Sequence, residues 1–395
     1  MGRANDGMRP KRPWPLLIMV LIFLGLIGVL LVLIVTAPPT PSVEVSAGAG
    51  PDAASSKTVD FARGFKRIDA HAHLSVGSLP QLVELMDLYG FAHIVDLSGG
   101  IPDHGLEAHL TQAMASHGRI SVFMTLPGRE FRVPGYGQRI AAMIERAKQM
   151  GAKGFKIPKG LGLGWDGPDG KLVPVDDPGL DPIFETCGRL GMPITIHTAD
   201  PKAFWQPPTP ANERYEELSA HPGWSFYKAG TASWEELLDQ LERRVARHPN
   251  TTIIGVHFGN AAEEPERVAR MLRKYPNYYI DTSARVPEFG RHPPDKMRAF
   301  FIEFQDRILY GTDLGVGPEP GDLVLGSGGD EPPPPAEVVR FFRSTYRYFQ
   351  TPDLNFESPT PIQGKWNING INLPKEVLEK LYFRNAQRVM GIPAQ

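Results

Sequence analysis

Five side chains in this sequence have the types and the placement to hold a metal ion and move a proton: His71, His73, His197, His257 and Asp313. His71 and His73 close the stretch Arg67-Ile68-Asp69-Ala70-His71-Ala72-His73. Alternate residues of a strand share a face, so the two imidazoles project to one side, about 7 Å apart along the chain. Such a pair alone is equally well explained by two histidines satisfied by hydrogen bonds in a polar layer. The other three change that balance by position. His197 ends Ile194-Thr195-Ile196-His197, His257 ends Ile253-Ile254-Gly255-Val256-His257, and Asp313 follows Leu309-Tyr310-Gly311-Thr312. Each titratable group comes directly after an apolar, β-branched run.

Imidazole nitrogens with one carboxylate suit Zn²⁺, Mn²⁺ or Fe²⁺ better than Mg²⁺ or Ca²⁺, which prefer oxygen donors. The expected cofactor is therefore one divalent transition metal, Zn²⁺ first, with Mn²⁺ or Fe²⁺ as alternatives. With His71, His73, His197 and Asp313 as metal ligands, a position stays open for a water whose pKa falls toward about 7. Asp313 can orient that water and take its proton, and His257 can stabilise an oxyanion or act as acid or base. These two are the expected catalytic residues.

The elements that must position these groups are read from periodicity. Eight short apolar runs, at 65–70, 92–97, 120–126, 154–157, 193–197, 252–257, 278–282 and 308–311, alternate with helical patterns such as 81–88, 140–150, 234–247 and 268–275. That rhythm implies parallel strands joined by right-handed helical crossovers, and eight repeats close a barrel. The expected fold is α/β, a TIM (β/α)₈ barrel, whose active sites lie at the C-terminal strand ends. An open doubly wound sheet is the rival, but no GxGxxG follows the first strand; the glycines at 160–164 have no helix start behind them and read as a flexible loop. Two connections are long. Residues 198–233 carry Phe204, Trp205, Tyr215, Trp224, Phe226 and Tyr227, and residues 315–335 end in four prolines. Long aromatic loops often form lids or substrate walls, which makes Trp205 a candidate substrate contact. Lys156 and Lys159 flank the end of the fourth run and Arg285 follows the seventh, so each can meet a substrate anion. The other histidines, His93, His104, His109, His117, His221, His248 and His292, fall away from strand ends, most of them at solvent-like positions.

The chain has 395 residues and 42% hydrophobic content, with 42 basic against 44 acidic side chains and a formal charge of -2. Without a basic run past the first dozen residues, a nucleic-acid partner is not expected. The lone Cys187 can form neither an internal disulfide nor a CxxC pair. The N-terminal segment differs from the rest. Residues 16–35 carry no charge and would span about 30 Å as a helix, the thickness of a bilayer core. Arg3, Arg9, Lys11 and Arg12 precede them and residues 38–56 hold no Lys or Arg, which places the N-terminus in the cytoplasm. A cleaved signal peptide ending near Val35-Thr36-Ala37 is the alternative, although its apolar core is usually only about 7 to 15 residues. The expected organisation is a basic cytoplasmic N-terminus at 1–15, a transmembrane anchor at 16–36, a Pro/Ser/Ala/Gly-rich linker at 37–60, and an extracytoplasmic catalytic domain at 61–395.

From residue 65 to 390 the sequence resembles the amidohydrolase superfamily, particularly the amidohydrolase-related branch that includes aminocarboxymuconate semialdehyde decarboxylase. The motifs that carry this are Asp69-Ala70-His71-Ala72-His73, Pro193-Ile194-Thr195-Ile196-His197, Gly255-Val256-His257, Tyr310-Gly311-Thr312-Asp313, and Leu373-Pro374 followed by Arg384-Asn385-Ala386. The resemblance implies a metal held by His71, His73, His197 and Asp313, with His257 assisting. Binuclear members of the superfamily carry a carboxylated lysine at the end of the fourth strand. Lys156 stands there, but a second metal is the less expected arrangement. The leading function is hydrolysis of a C–N or C–O bond in a small organic substrate by metal-activated water. The alternatives are non-oxidative decarboxylation of an aromatic or unsaturated acid, and a catalytically silent, membrane-tethered binding protein.

Overall fold

The computed structural model of the protein describes residues 64–392 apart from 127, 327, 329 and 330. Among the described residues no helix is long and apolar enough to cross a membrane. The expected span at 16–36, with the segments on either side of it at 1–15 and 37–60, lies outside them.

The apolar runs form strands β1 (Arg67–Leu74), β2 (Phe91–Asp96), β3 (Ile120–Thr125), β4 (Gly154–Ile157), β5 (Ile194–Ile196), β6 (Ile253–Gly255), β7 (Tyr278–Asp281) and β8 (Ile308–Leu309). Each pairs in parallel with the next in sequence. Nearly every strand residue is buried, as expected where helices cover a parallel sheet and the strands read as unbroken apolar runs. One small cluster joins Ile68, Val95, Phe123, Ile254 and Leu309, from strands spread across the whole sheet, with Ala386, Met390 and Ile392 of the C-terminus. Such distant strands share one cluster because the sheet curls, as in a TIM-like barrel.

Beyond the eight expected strands the sheet has two more, making ten: β9 (Leu314–Val316), parallel to β1, and β10 (Leu323–Val324), antiparallel to β9. Both fall in the stretch expected as a long loop. They are too short to show periodicity; β9 is held by pairing with the edge of β1 and β10 by pairing with β9. The chain between β8 and β9 follows β1 closely: Ala70 N donates to Tyr310 O and Asp313 N to His71 O, both at 2.9 Å. Residues 308–316 thus run from β7 on one side to β1 on the other. The first strand also extends past the expected end at residue 70, through both histidines to Leu74, because Ala72, His73 and Leu74 find partners in Leu314, Gly315 and Val316.

The crossovers form for local reasons. Helix Trp234–Arg247 buries Trp234, Leu237, Leu238, Leu241 and Val245, one stripe at three-to-four spacing. Ser233 caps it by accepting from Glu236 N at 3.1 Å. Glu235 and Glu236 lie in the first turn and Arg244 and Arg247 in the last, which complements the helix dipole. Gly255 closes β6 where only glycine fits, since a Cβ there would lie 2.1 Å from Tyr278 Oη.

Several histidines outside the site are less exposed than sequence suggested. His248 is buried against Phe184 and contacts Arg244, and His109 bonds Asp96 at 2.7 Å. His93, on β2, donates from one ring nitrogen to Gly118 O at 3.0 Å while the other faces Ser121 Oγ at 2.9 Å. Burial lowers its pKa from 6.5 to about 4. Folding therefore favours the neutral ring, and the stability it contributes is present above the unfolded pKa and lost as pH falls from about 6.5 toward 4. The expected loss by about pH 4 is ~3 kcal/mol. Melting curves of the wild type should fall more steeply with acid than those of His93→Gln, and parallel curves would assign the acid sensitivity elsewhere.

Candidate metal centre

The site gathers at the C-terminal ends of the strands. His71 and His73 project from β1, and Asp313 comes from the chain between β8 and β9, with a left-handed backbone (φ 64°). Asp69 ties the two segments together: it accepts from the backbone N of His71 and of Thr312 at 3.0 Å each, and from Thr312 Oγ1.

Asp313 Oδ1 lies 3.2 Å from His71 Nε2 and 3.3 Å from His73 Nε2. Donors about 2.0 to 2.2 Å from one cation, at tetrahedral or octahedral angles, are separated by roughly 2.9 to 3.5 Å. The spacing is that of one edge of a coordination shell. His71 is fully buried, and its Nε2 makes no hydrogen bond although the carboxylate is so near. A buried nitrogen without a hydrogen-bond partner is costly unless something else uses its lone pair. The opposite nitrogens are held in place: His71 Nδ1 donates to Asp281 Oδ2 at 2.8 Å, and His73 Nδ1 is 2.8 Å from Ser98 Oγ. Groups that pin one imidazole nitrogen and aim the other are the usual outer support of metal-binding histidines. The residues present fit a divalent transition metal.

His257 follows β6 in a left-handed turn, with φ/ψ of 56°/49°, and Phe258 continues it at 59°/38°. Two successive non-glycine residues in this region cost on the order of 1–3 kcal/mol each. Asp281 holds the turn by accepting from His257 N at 2.8 Å. His257 Nδ1 donates to Ser283 O at 3.0 Å, which leaves Nε2 as its basic nitrogen. The His257 ring centroid is 4.9 Å from that of His71 and 4.4 Å from that of His197. His197 therefore belongs to the ring cluster. It is not, however, among the groups whose donor atoms lie within 4.8 Å of one another, which are His71, His73 and Asp313, and His71, His257 and Asp281. Its Nε2 is 3.2 Å from Asp200 Oδ1. In the second group Asp281 is already engaged by His71, His257 N, Ser283 N and Ser283 Oγ, and so acts as a frame for the histidines.

Charge in the mouth is strongly perturbed. Burial would push the Asp313 carboxyl up, but His71 beside it holds it well below its ordinary range. Burial, with His197 beside it, takes His257 well below 6.5, so that ring is neutral. Lys156, at the end of β4, is buried; its Nζ makes no hydrogen bond, and burial lowers its pKa to about 8 against the pull of Asp281 and Asp313. Arg285 is also buried; it donates to Ala284 O and lies 4.0 Å from Asp200. Lys159 is committed to Asp200 at 2.6 Å. Trp205 uses its indole N–H on Ala232 O and packs its ring on Phe226, 4.6 Å between centroids, so it holds the long loop together.

The sequence reading did not single out Asp69, Ser98, Asp200, Asp281 or Ser283. Asp281 carried a usable signal, since it is a titratable residue next to the end of the seventh run and closes β7. The others act only through contacts made on folding.

Residues 68–392 match the amidohydrolase family, and the chain belongs to that family. No curated protein matches it. Among solved structures it is similar to a Staphylococcus aureus protein assigned to the amidohydrolases, at 15% identity over 83% of this chain and 100% of that one, with a TM-score of 0.50. It is also similar to 2,6-dihydroxybenzoate decarboxylase from Rhizobium, at 15% identity over 83% and 99% of the two chains (TM-score 0.48). A third is the dihydroorotase of Campylobacter jejuni, at 15% over 84% of each (TM-score 0.46). At 15% identity the likeness to the Staphylococcus aureus protein speaks for the fold alone.

Proposed function

We propose that the protein is a metal-dependent hydrolase on a closed (β/α)₈ barrel, which binds one divalent transition metal through His71, His73, His197 and Asp313 and cleaves a C–N or C–O bond of a small organic molecule. The observation that carries this reading is the approach of His71 Nε2 and His73 Nε2 to Asp313 Oδ1 while the Nδ1 atoms are held from behind. A metal bound there, Zn²⁺ ahead of Mn²⁺ or Fe²⁺, supplies an acidified water and polarises a substrate oxygen. Asp313 orients the attacking water and takes its proton. The Nε2 of His257, which carries no proton, accepts a hydrogen bond from the water or the substrate, Asp313 passes the proton it has taken to the leaving group, and Lys156 and Arg285 grip an anionic part of the substrate.

Elemental analysis of the purified protein, with assays of ester, lactone, amide and aromatic-acid panels in Zn²⁺ or Mn²⁺, tests this. About one metal per chain and hydrolysis of at least one panel are expected. Protein that repeatedly contains no transition metal and takes none up would leave the silent binding protein. Two buried cations, Lys156 and Arg285, also favour a second reading, decarboxylation of an acid held at its carboxylate; CO₂ release without hydrolysis would establish it over the first.

We further infer that residues 16–36 anchor the protein in a membrane, with 1–15 in the cytoplasm and the catalytic domain outside, supported by the uncharged stretch and the basic residues before it. The domain is then periplasmic or on the cell surface, and protease added to spheroplasts should remove it while sparing cytoplasmic proteins.

A further inference from the structure

Three crossover helices end with large apolar side chains in water. Leu88, next to last in helix Leu79–Tyr89, is 64% exposed, and Met114, next to last in Leu106–Ala115, is 73% exposed. Met150 closes helix Tyr136–Met150 and is also exposed. These helices lead into β2, β3 and β4, neighbours in the sheet. Their ends therefore stand side by side at the N-terminal face of the strands, opposite the metal mouth. Contacts join them: Arg119 Nη2 donates to Phe91 O at 3.0 Å and pairs with Asp87 at 2.7 Å, and a Cβ on Gly151 would lie 3.8 Å from Leu110. One exposed hydrophobe is ordinary, whereas three on adjacent ends make a patch that calls for a partner. The charge around it is one-sided. Residues 64–66, 86–90, 112–119 and 147–153 hold Lys66, Arg119, Lys148 and Lys153 against Asp87 alone, and the three lysines are exposed. Apolar side chains ringed by cations match the boundary of an anionic bilayer, where the former enter the headgroup layer and the latter meet lipid phosphates. The described chain also begins on this face: Gly64 precedes β1, whose Arg67 N donates to Gly90 O at 3.2 Å.

We propose that the face around Leu88, Met114 and Met150 rests on an anionic lipid surface, which turns the mouth toward water so that substrate arrives from solution. The inference rests on the anchor reading of residues 16–36. Residues 37–63 could stretch to about 90 Å, so a tether alone does not orient the domain, yet by keeping the face near lipid it lets a weak contact suffice.

Full-length protein in vesicles of phosphatidylethanolamine and phosphatidylglycerol, with lipid spin-labelled near its headgroup, tests this. An environment-sensitive fluorophore is attached at Leu88→Cys or Met114→Cys, and for comparison at Val76→Cys or Val133→Cys, exposed positions that follow β1 and β3 at the mouth end. The native Cys187 is buried and stays unlabelled. The labels at 88 and 114 should shift to the blue and lose emission, and those at 76 and 133 should do neither. Lys148→Glu with Lys153→Glu, or vesicles of phosphatidylcholine, should abolish the difference.

Equal quenching at both ends, no quenching at 88 and 114, or quenching that persists in phosphatidylcholine overturns the proposal. Alkaline extraction reads the anchor separately. Quenched protein that carbonate strips from the vesicles refutes the anchor and keeps the face; unquenched protein that resists stripping refutes the face alone; protein that never joins the vesicles refutes both.

Discussion

Replacing His71 and His73 together by alanine is expected to remove bound metal and turnover in one step, with kcat/KM reduced by about 10³-fold or more, since several kcal/mol of transition-state stabilisation go with the cation. The two imidazoles flank a single carboxylate oxygen, so the double variant leaves Asp313 without two of its nearest donors. Asp313→Asn separates two roles of that carboxylate. The amide oxygen can still ligate but cannot accept a proton from water, so activity should fall far more than metal content. Metal analysis and kinetics on the same preparations give the comparison. Loss of metal in Asp313→Asn equal to that in the double variant would make the carboxylate chiefly a ligand. Full activity in His71→Ala/His73→Ala would end the metal reading altogether.

The second large effect is expected at Asp281, which does not belong to the spacing-defined edge around Asp313. Its carboxylate accepts from His71 Nδ1 and from the backbone N of His257, so it fixes one proposed ligand and one proposed acid–base group. Burial alone would raise its pKa, and His71 with the surrounding hydrogen bonds brings it below the ordinary value. Asp281→Ala leaves a buried imidazole and a strained turn without their acceptor. The expected cost is about 3 kcal/mol in stability and about 10- to 100-fold in metal affinity, read by denaturant unfolding and chelator competition. Asp281→Asn retains an acceptor for His257 N and should recover most of the stability but little of the affinity. An Asp281→Asn protein that matches the wild type in both stability and metal affinity would show that Asp281 merely fills space.

Much of this arrangement was legible in the sequence because it depends on short-range pattern. The runs around Ile120, Gly154 and Ile253 alternate with amphipathic stretches, and the strands form there with ends moved by only a residue or two. His71, His73 and Asp313 were found by the same logic, since a titratable residue after a parallel strand has nowhere to go but the mouth. What escaped has a different origin. β9 and β10 have three and two residues, too few for a period, and exist because β1 offers an edge. His257 was expected to end its strand, yet its backbone turns left-handed just after β6, a conformation stabilised by Asp281 from another strand. The bond between Lys159 and Asp200 spans 41 residues, a pairing that no local pattern announces.

The segment running from β8 into β9 bears both on architecture and on chemistry. It bridges β7 and β1 by hydrogen bonds, and Asp313 sits at its centre. Cutting the chain there, by a nick or by a circular permutation that opens new ends between residues 310 and 314, would unzip the seam and detach the carboxylate at one stroke. New termini in an exposed helical crossover, by contrast, should leave cation uptake intact. Zinc uptake in a set of permuted chains would thus map where the ring can be opened, with the metal itself reporting whether the ends have met.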